Sequence, residues 1–93
     1  MEDLIKRILG EHGLDKIKLI TLIDLGDEVD EDGEALPIIA NTIEIDENGN
    51  VMVYDDRNED ENGIIEPIWF VKALDANLQN EVMFNLEYTL KNK

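Results

Sequence analysis

The stretch from Thr42 to Asp55, Thr-Ile-Glu-Ile-Asp-Glu-Asn-Gly-Asn-Val-Met-Val-Tyr-Asp, leaves few choices of fold. Ile43 and Ile45 alternate with polar residues, as do Val51 and Val53, the period-2 pattern of half-buried strands. Asn48-Gly49 between them is a strong hairpin signal. A two-residue loop at Asn48-Gly49 would pair Ile45 with Met52 and mix the two faces. A one-residue shift of register carries every side chain to the opposite face, so the apolar pattern arbitrates. A three-residue loop, Glu47-Asn48-Gly49, sets Ile45 opposite Val51 and Ile43 opposite Val53. It also puts Gly49 at the left-handed position before a bulge. The outward face is then expected to carry Thr42, Glu44, Met52 and Tyr54.

The hairpin sits in the acidic part of an unevenly charged chain. Residues 1–23 hold four acids and four bases, and residues 67–93 hold three of each. Residues 24–66 hold sixteen acids against Arg57 alone, which accounts for the whole net charge of −15. With 93 residues and 43% hydrophobic content, the chain is one domain (1–93) with a real core. No apolar run approaches the ~20 residues of a membrane span, and Met1-Glu2-Asp3 lacks the pattern of a secretory leader. Cysteine is absent, which removes disulfides, thiolate zinc sites and redox switches. A cytoplasmic location is expected.

An amphipathic helix is predicted over residues 3–12, with Leu4, Ile5, Ile8 and Leu9 on one face and a Gly13-Leu14 stop. His12 belongs at its C-terminus, where a partly cationic ring is favourable. A strand follows over Lys16–Asp24. Ile17, Leu19 and Ile23 face one way and Ile20 and Leu22 the other, which implies an interior strand or a covered second face. Residues 24–36 read as a first acidic loop, with a frayed continuation of the first strand through Leu25 and Val29 as the alternative, and a second strand starts after Pro37. Asp55–Gly63 reads as a second acidic loop, and Ile64–Val71 as an edge strand, since Pro67 cannot donate to a ladder. Trp69 and Phe70 are expected core anchors. A helix over Ala76–Leu90 is capped by Asp75 and buries Leu78, Val82, Leu86 and Leu90, widened by Met83. Phe84 and Tyr88 occupy another stripe and are expected to fold over the core margin, a contact with another chain being the alternative. The fold class is therefore α+β: an N-terminal helix, a four-stranded, mainly antiparallel sheet with a central hairpin, and a C-terminal helix packed on the sheet.

Chemistry is scarce. Serine and cysteine are both absent, so the ordinary nucleophile–histidine arrangements cannot be built. Nor is there a glycine-rich phosphate loop. The acidic turns starting at Glu28, Glu44 and Asn58 partly match a calcium loop, but each lacks the terminal glutamate and none has flanking helices. Asp, Asn and Gly serve a β-turn equally well. Catalysis, a cofactor and a dedicated metal site are not expected. Divalent-cation binding by the acidic turns, and a homodimer with the acids serving solubility alone, are the alternatives. Direct binding of nucleic acid would set like charges together. The preferred expectation is a non-enzymatic interaction module for a basic, nucleic-acid-binding protein partner, contacted through the acidic surface of residues 24–66. The candidate contact residues are Glu44, Asp46 and Tyr54 on the hairpin, with Asp27, Glu28, Asp30, Glu31 and Asp32 in the first acidic loop.

Overall fold

The central hairpin closes through a three-residue loop. The Asp46 N–H donates to the Asn50 carbonyl at 2.9 Å and the Gly49 N–H to the Asp46 carbonyl at 3.0 Å. Gly49 takes φ +81°, which only glycine adopts freely. Ile45 lies opposite Val51 and Ile43 opposite Val53. The computed structural model describes residues 1–92, without the side chain of Glu28.

In chain order the elements are α1 (Glu2–Glu11), β1 (Lys16–Val29), β2 (Ala35–Ile45), β3 (Val51–Tyr54), β4 (Ile68–Phe70), a 3-10 turn (Val71–Ala73) and α2 (Ala76–Asn92). The four strands form one antiparallel sheet in the order β1-β2-β3-β4. Helix α1 ends as its sequence requires: the Leu14 N–H reaches the Leu9 carbonyl at 2.9 Å and the Gly13 N–H reaches that of Gly10 at 3.0 Å. That pair of bonds is a Schellman cap. The His12 Nδ1 lies 3.0 Å from the Ile8 carbonyl in the last turn. At the start of α2 the Asp75 carboxylate accepts the Leu78 N–H at 2.9 Å, filling one of the bonds a helix N-terminus leaves open.

Ile5 and Leu9 of α1 join Val82, Met83 and Leu86 of α2 in one core with Ile17, Leu19, Ile23, Ile43, Val51, Val53 and Val71. Ile17, Ile43 and Val53 of this core continue into Trp69 as one row that runs across all four strands. Trp69 packs half-buried against this core, whereas Phe70 stays exposed.

Four expectations need correction. First, β1 is an edge strand, and Ile20 and Leu22 are each 53% exposed. The reason is that the second face of β1 is left uncovered: the buried Ile17, Leu19 and Ile23 alternate with the exposed Lys18, Ile20 and Leu22. The strand is also bulged, since pairing passes from Lys18↔Thr42 to Ile23↔Ala40 and Leu19–Leu22 lie opposite Asn41 alone. The bulge turns toward α2 instead. The Ile20 N–H donates to Thr89 Oγ1 at 3.2 Å, and the Thr21 hydroxyl donates to Asn85 Oδ1. Second, the alternative reading of the first acidic loop, a continuation of the first strand, holds and goes further: most of that loop is strand. β1 continues to Val29, β2 begins at Ala35, and only the turn between them is loop. Third, the edge strand at Pro67 shrinks to Ile68–Phe70, and Ile65 forms a separate bridge with Glu59. Fourth, Phe84 and Tyr88 do not fold over the core: they are 66% and 45% exposed, stacked on each other with ring centroids 6.4 Å apart.

The long β1–β2 ribbon projects beyond the rest of the sheet. It gives the molecule principal extents of 45 × 31 × 25 Å and a radius of gyration of 13.5 Å, above the ~12 Å expected of a rounder chain.

Candidate interaction surface

The acidic turns share one construction. Asp30, Asp46 and Asp60 each open a five-residue turn whose fourth residue is Gly33, Gly49 or Gly63, with φ of +80°, +81° and +80°. In each, the first residue's carboxylate accepts two backbone N–H groups, two and four residues on. Asp30 accepts from Asp32 and Glu34 at 3.0 and 2.8 Å. Asp46 accepts from Asn48 and Asn50 at 2.9 and 2.8 Å. Asp60 accepts from Asn62 and Ile64 at 2.8 and 2.9 Å. The aspartates are thus structural: each supplies the acceptor that its tight turn would otherwise lack. The backbone bonds from Asn50 and then Asn48 hold the Asp46 carboxyl below the usual carboxylate range. The sequence signal for all three is the repeat Asp-Glu-(Asp/Asn)-Gly at 30–33, 46–49 and 60–63. Matching each stretch to a calcium loop separately hides that repeat.

Topology then divides the acids between two ends. The eleven residues of β2 extend ~36 Å at ~3.3 Å each. The turn at 30–34 lies at one end of β2 and the turn at 46–50 at the other. Since β3 runs back antiparallel and ends opposite Thr42, the 55–67 segment returns to the end that holds the first turn. Residues 24–36 carry seven acids and residues 55–66 six, so thirteen of the sixteen central acids lie on the two segments that run toward that end, with Asp56 bonded to Asn41 at mid-strand and Asp24 opposite Ile39.

The candidate contact residues are therefore not one surface. Asp30 is half-buried in its turn, and Glu31 and Asp32 are exposed there; Asp27 is exposed on the ribbon below. Glu28 pairs with Leu36 in the ribbon backbone, and its side chain lies outside the described residues. Glu44 and Asp46 sit toward the far end of β2. Tyr54 is not a surface residue at all: it is 2% exposed, and its hydroxyl donates to Glu44 Oε1. Burial, and then the neighbouring Glu44 carboxylate, raise its pKa. Thr42 is buried too. Lys18, Thr42, Tyr54 and Ile68 form one row across the sheet, so the two central members are flanked on both sides.

Among the described side chains, cations reach three central acids. Lys16 is 3.9 Å from Glu44, Lys18 is 3.3 Å from Asp56, and Arg57 forks onto Asp55, with Nε and Nη2 each at 2.9 Å. Arg57 holds the Asp55 carboxyl well below the usual range. Asp56 is lowered by the Asn41 side chain and then by Lys18. The other acids of the acidic end whose side chains are described have no cation partner among the described residues. No three His, Asp or Glu side chains converge as a metal site would require among the described residues. Within the stretch that starts at Glu44, Asp46 is committed to backbone N–H groups and Asp55 to Arg57.

Beside the acidic end lies a cleft of about 330 Å³, with residues 36–39 of β2 on one wall and Asp55, Asn58, Pro67 and Trp69 on the other.

Most of these carboxylates repel one another across solvent, and salt screens such repulsion beyond a Debye length of ~10 Å at 0.1 M. Thermal stability should therefore rise as salt goes from low to moderate, measured as Tm by circular dichroism. A Tm indifferent to salt would mean that the acidic end is neutralised.

No family model, curated protein or solved structure matches the chain.

Proposed function

We propose that this chain is a non-catalytic binding module whose acidic end engages a basic protein partner. The observation that carries the reading is that thirteen of sixteen central acids lie on two segments that run toward one end of β2, each closed by a turn that holds its shape through its own Asp bonds. Acids concentrated in this way create a field that steers a cationic partner and fixes its orientation. A protein surface shaped to hold a nucleic-acid backbone would meet here a comparable density of negative charge.

The test is capture from the source lysate on immobilised protein. A partner with a basic binding face should be recovered at low salt and released as salt rises. Retention indifferent to salt, or recovery of only acidic or neutral proteins, would contradict the reading.

The stacked, exposed Phe84–Tyr88 pair favours a second reading, self-association of the chain. It requires an elution volume that falls with rising protein concentration and that Phe84→Glu returns to the monomer position.

A further inference from the structure

We propose that the cleft beside β2 takes up an extended basic segment of the partner as an added strand, with an apolar side chain of that segment seated against Trp69. The inference rests on the basic-partner reading and specifies how the acidic end holds its partner.

The backbone supplies the first observation. Residues 35–40 of β2 pair with β1 only, and pairing with β3 begins at Thr42. Among the described residues, no strand covers the other edge of that stretch. The neighbouring chain leaves the ladder after Tyr54 and is clipped to β2 through the Asn41 side chain: its Nδ2 donates to Asp56 Oδ1 at 2.8 Å and its Oδ1 accepts the Asp56 N–H at 3.0 Å. Beyond that clip the cleft opens. An uncovered strand edge is a template for a further strand.

Hairpin geometry shows which groups are free. The Asp30 N–H bonds to the Glu34 carbonyl at 3.0 Å, so Asp30 and Glu34 are a hydrogen-bonded pair. Bonded and non-bonded pairs alternate along an antiparallel ladder. The pair Asp27↔Pro37 is therefore non-bonded, and the Pro37 backbone faces away from β1. Proline is tolerated there because the N–H it lacks would have pointed to the open side. Strand alternation directs the Ile39 N–H and carbonyl to the same side. A strand docked here would meet the Pro37 carbonyl and both groups of Ile39.

Side chains and charge then select the occupant. The walls present Leu36, Pro37, Pro67 and Trp69 as apolar surface, and about 330 Å³ suits one or two side chains rather than a folded domain. Asp55 lines it, and the two segments that flank it, residues 24–36 and 55–66, carry thirteen acids. Their one in-sequence cation, Arg57, is already engaged by Asp55. A second copy docking edge to edge would oppose two such arrays, so the occupant is cationic. An extended segment that alternates apolar residues with Lys or Arg satisfies all three demands: its apolar side chains enter the cleft and its cations face the hairpins.

The probe is a short capped peptide of alternating valine and lysine, compared with the same peptide carrying proline at its central valine. Trp69 is the chain's sole tryptophan, so its emission reports occupancy of the cleft. The valine peptide should shift that emission saturably and slow hydrogen exchange at the Ile39 amide. The proline peptide should bind about tenfold more weakly, a loss of ~1.4 kcal/mol. Equal affinity of the two peptides, or binding that leaves Trp69 and the Ile39 amide unchanged, overturns strand addition while leaving a salt-sensitive acidic surface intact. Failure of both peptides to bind at low salt overturns strand addition and the basic-partner reading together.

Discussion

Reversing two charges at the acidic end, Glu31→Lys with Glu61→Lys, should weaken capture of the basic partner by about 10- to 100-fold, within the range over which field steering changes association. Each reversal adds two charges, so the double variant moves from −15 to −11. The companion pair, Glu47→Lys with Glu87→Lys, reaches the same −11 from the far turn and from α2. It should lose only the small part that depends on net charge. All four glutamates are exposed. Each of the three in turns occupies the second turn position, leaving the Asp and Gly that make the turn in place. Both variants should therefore keep the parent Tm within the ~0.5 kcal/mol typical of surface substitutions. The deficit should appear in the association rate, with a shallower salt dependence, more than in dissociation. Stopped-flow or surface-binding kinetics read both quantities. Equal losses for the two variants would reduce the acidic end to bulk charge.

That comparison separates two quantities that sequence alone merges. Residues 24–66 form one acidic block along the chain, and nothing in their composition shows that β2 carries Glu44 and Asp46 away from Asp30 and Asp60. Position along the chain maps onto position in space only once strand lengths are known, and the length of β2 was hidden. Its first residues, and the last of β1, read as loop because Asp24–Glu34 has no apolar alternation. The ribbon persists there through turn chemistry at Asp30 and Gly33 and through backbone pairing, with little apolar burial for a period-2 pattern to reveal. By contrast, the central hairpin was readable to the residue, since apolar alternation and the Gly49 position both demanded the same register. The α1 stop at Gly13 and the Asp75 cap were readable for the same reason: local chemistry and the tertiary fold agree.

Two failures meet in one stretch of β1. Asn85 and Thr89 interrupt the apolar stripe of α2 and would be assigned to solvent on polarity alone, yet both are buried. They are buried because the β1 bulge turns polar groups toward α2, and those groups need partners in the helix. Along the same stretch Ile20 and Leu22 alternate with the buried Leu19 and Ile23, and so fall on the face of β1 that is left exposed. A sequence pattern of apolar residues on both faces of a strand implied a covered interior strand. Here it records an edge strand with one face on the core and the other left exposed.

This contrast predicts the largest single-site difference in stability. Ile20→Ala and Ile43→Ala delete the same atoms from the same kind of residue in neighbouring strands. Ile43 is fully buried, between Ile17 and Val53 in the row that carries the core, and its truncation leaves a cavity that close-packed neighbours cannot fill. Such deletions cost about 2–5 kcal/mol, a large share of the ~5–14 kcal/mol that a chain of this length possesses. Ile20 is 53% exposed, so its truncation removes little buried surface and should change stability by about 0.5 kcal/mol or less. Urea unfolding should show a much lower midpoint for Ile43→Ala with an unchanged slope, and a midpoint close to the parent for Ile20→Ala. The Ile20 variant is the more informative of the two. If its cost approached that of Ile43 in a manner that grew with protein concentration, Ile20 would be covered in solution. The exposed stripe beside α2 would then be a subunit contact, and the self-association reading would displace the view of β1 as a free edge.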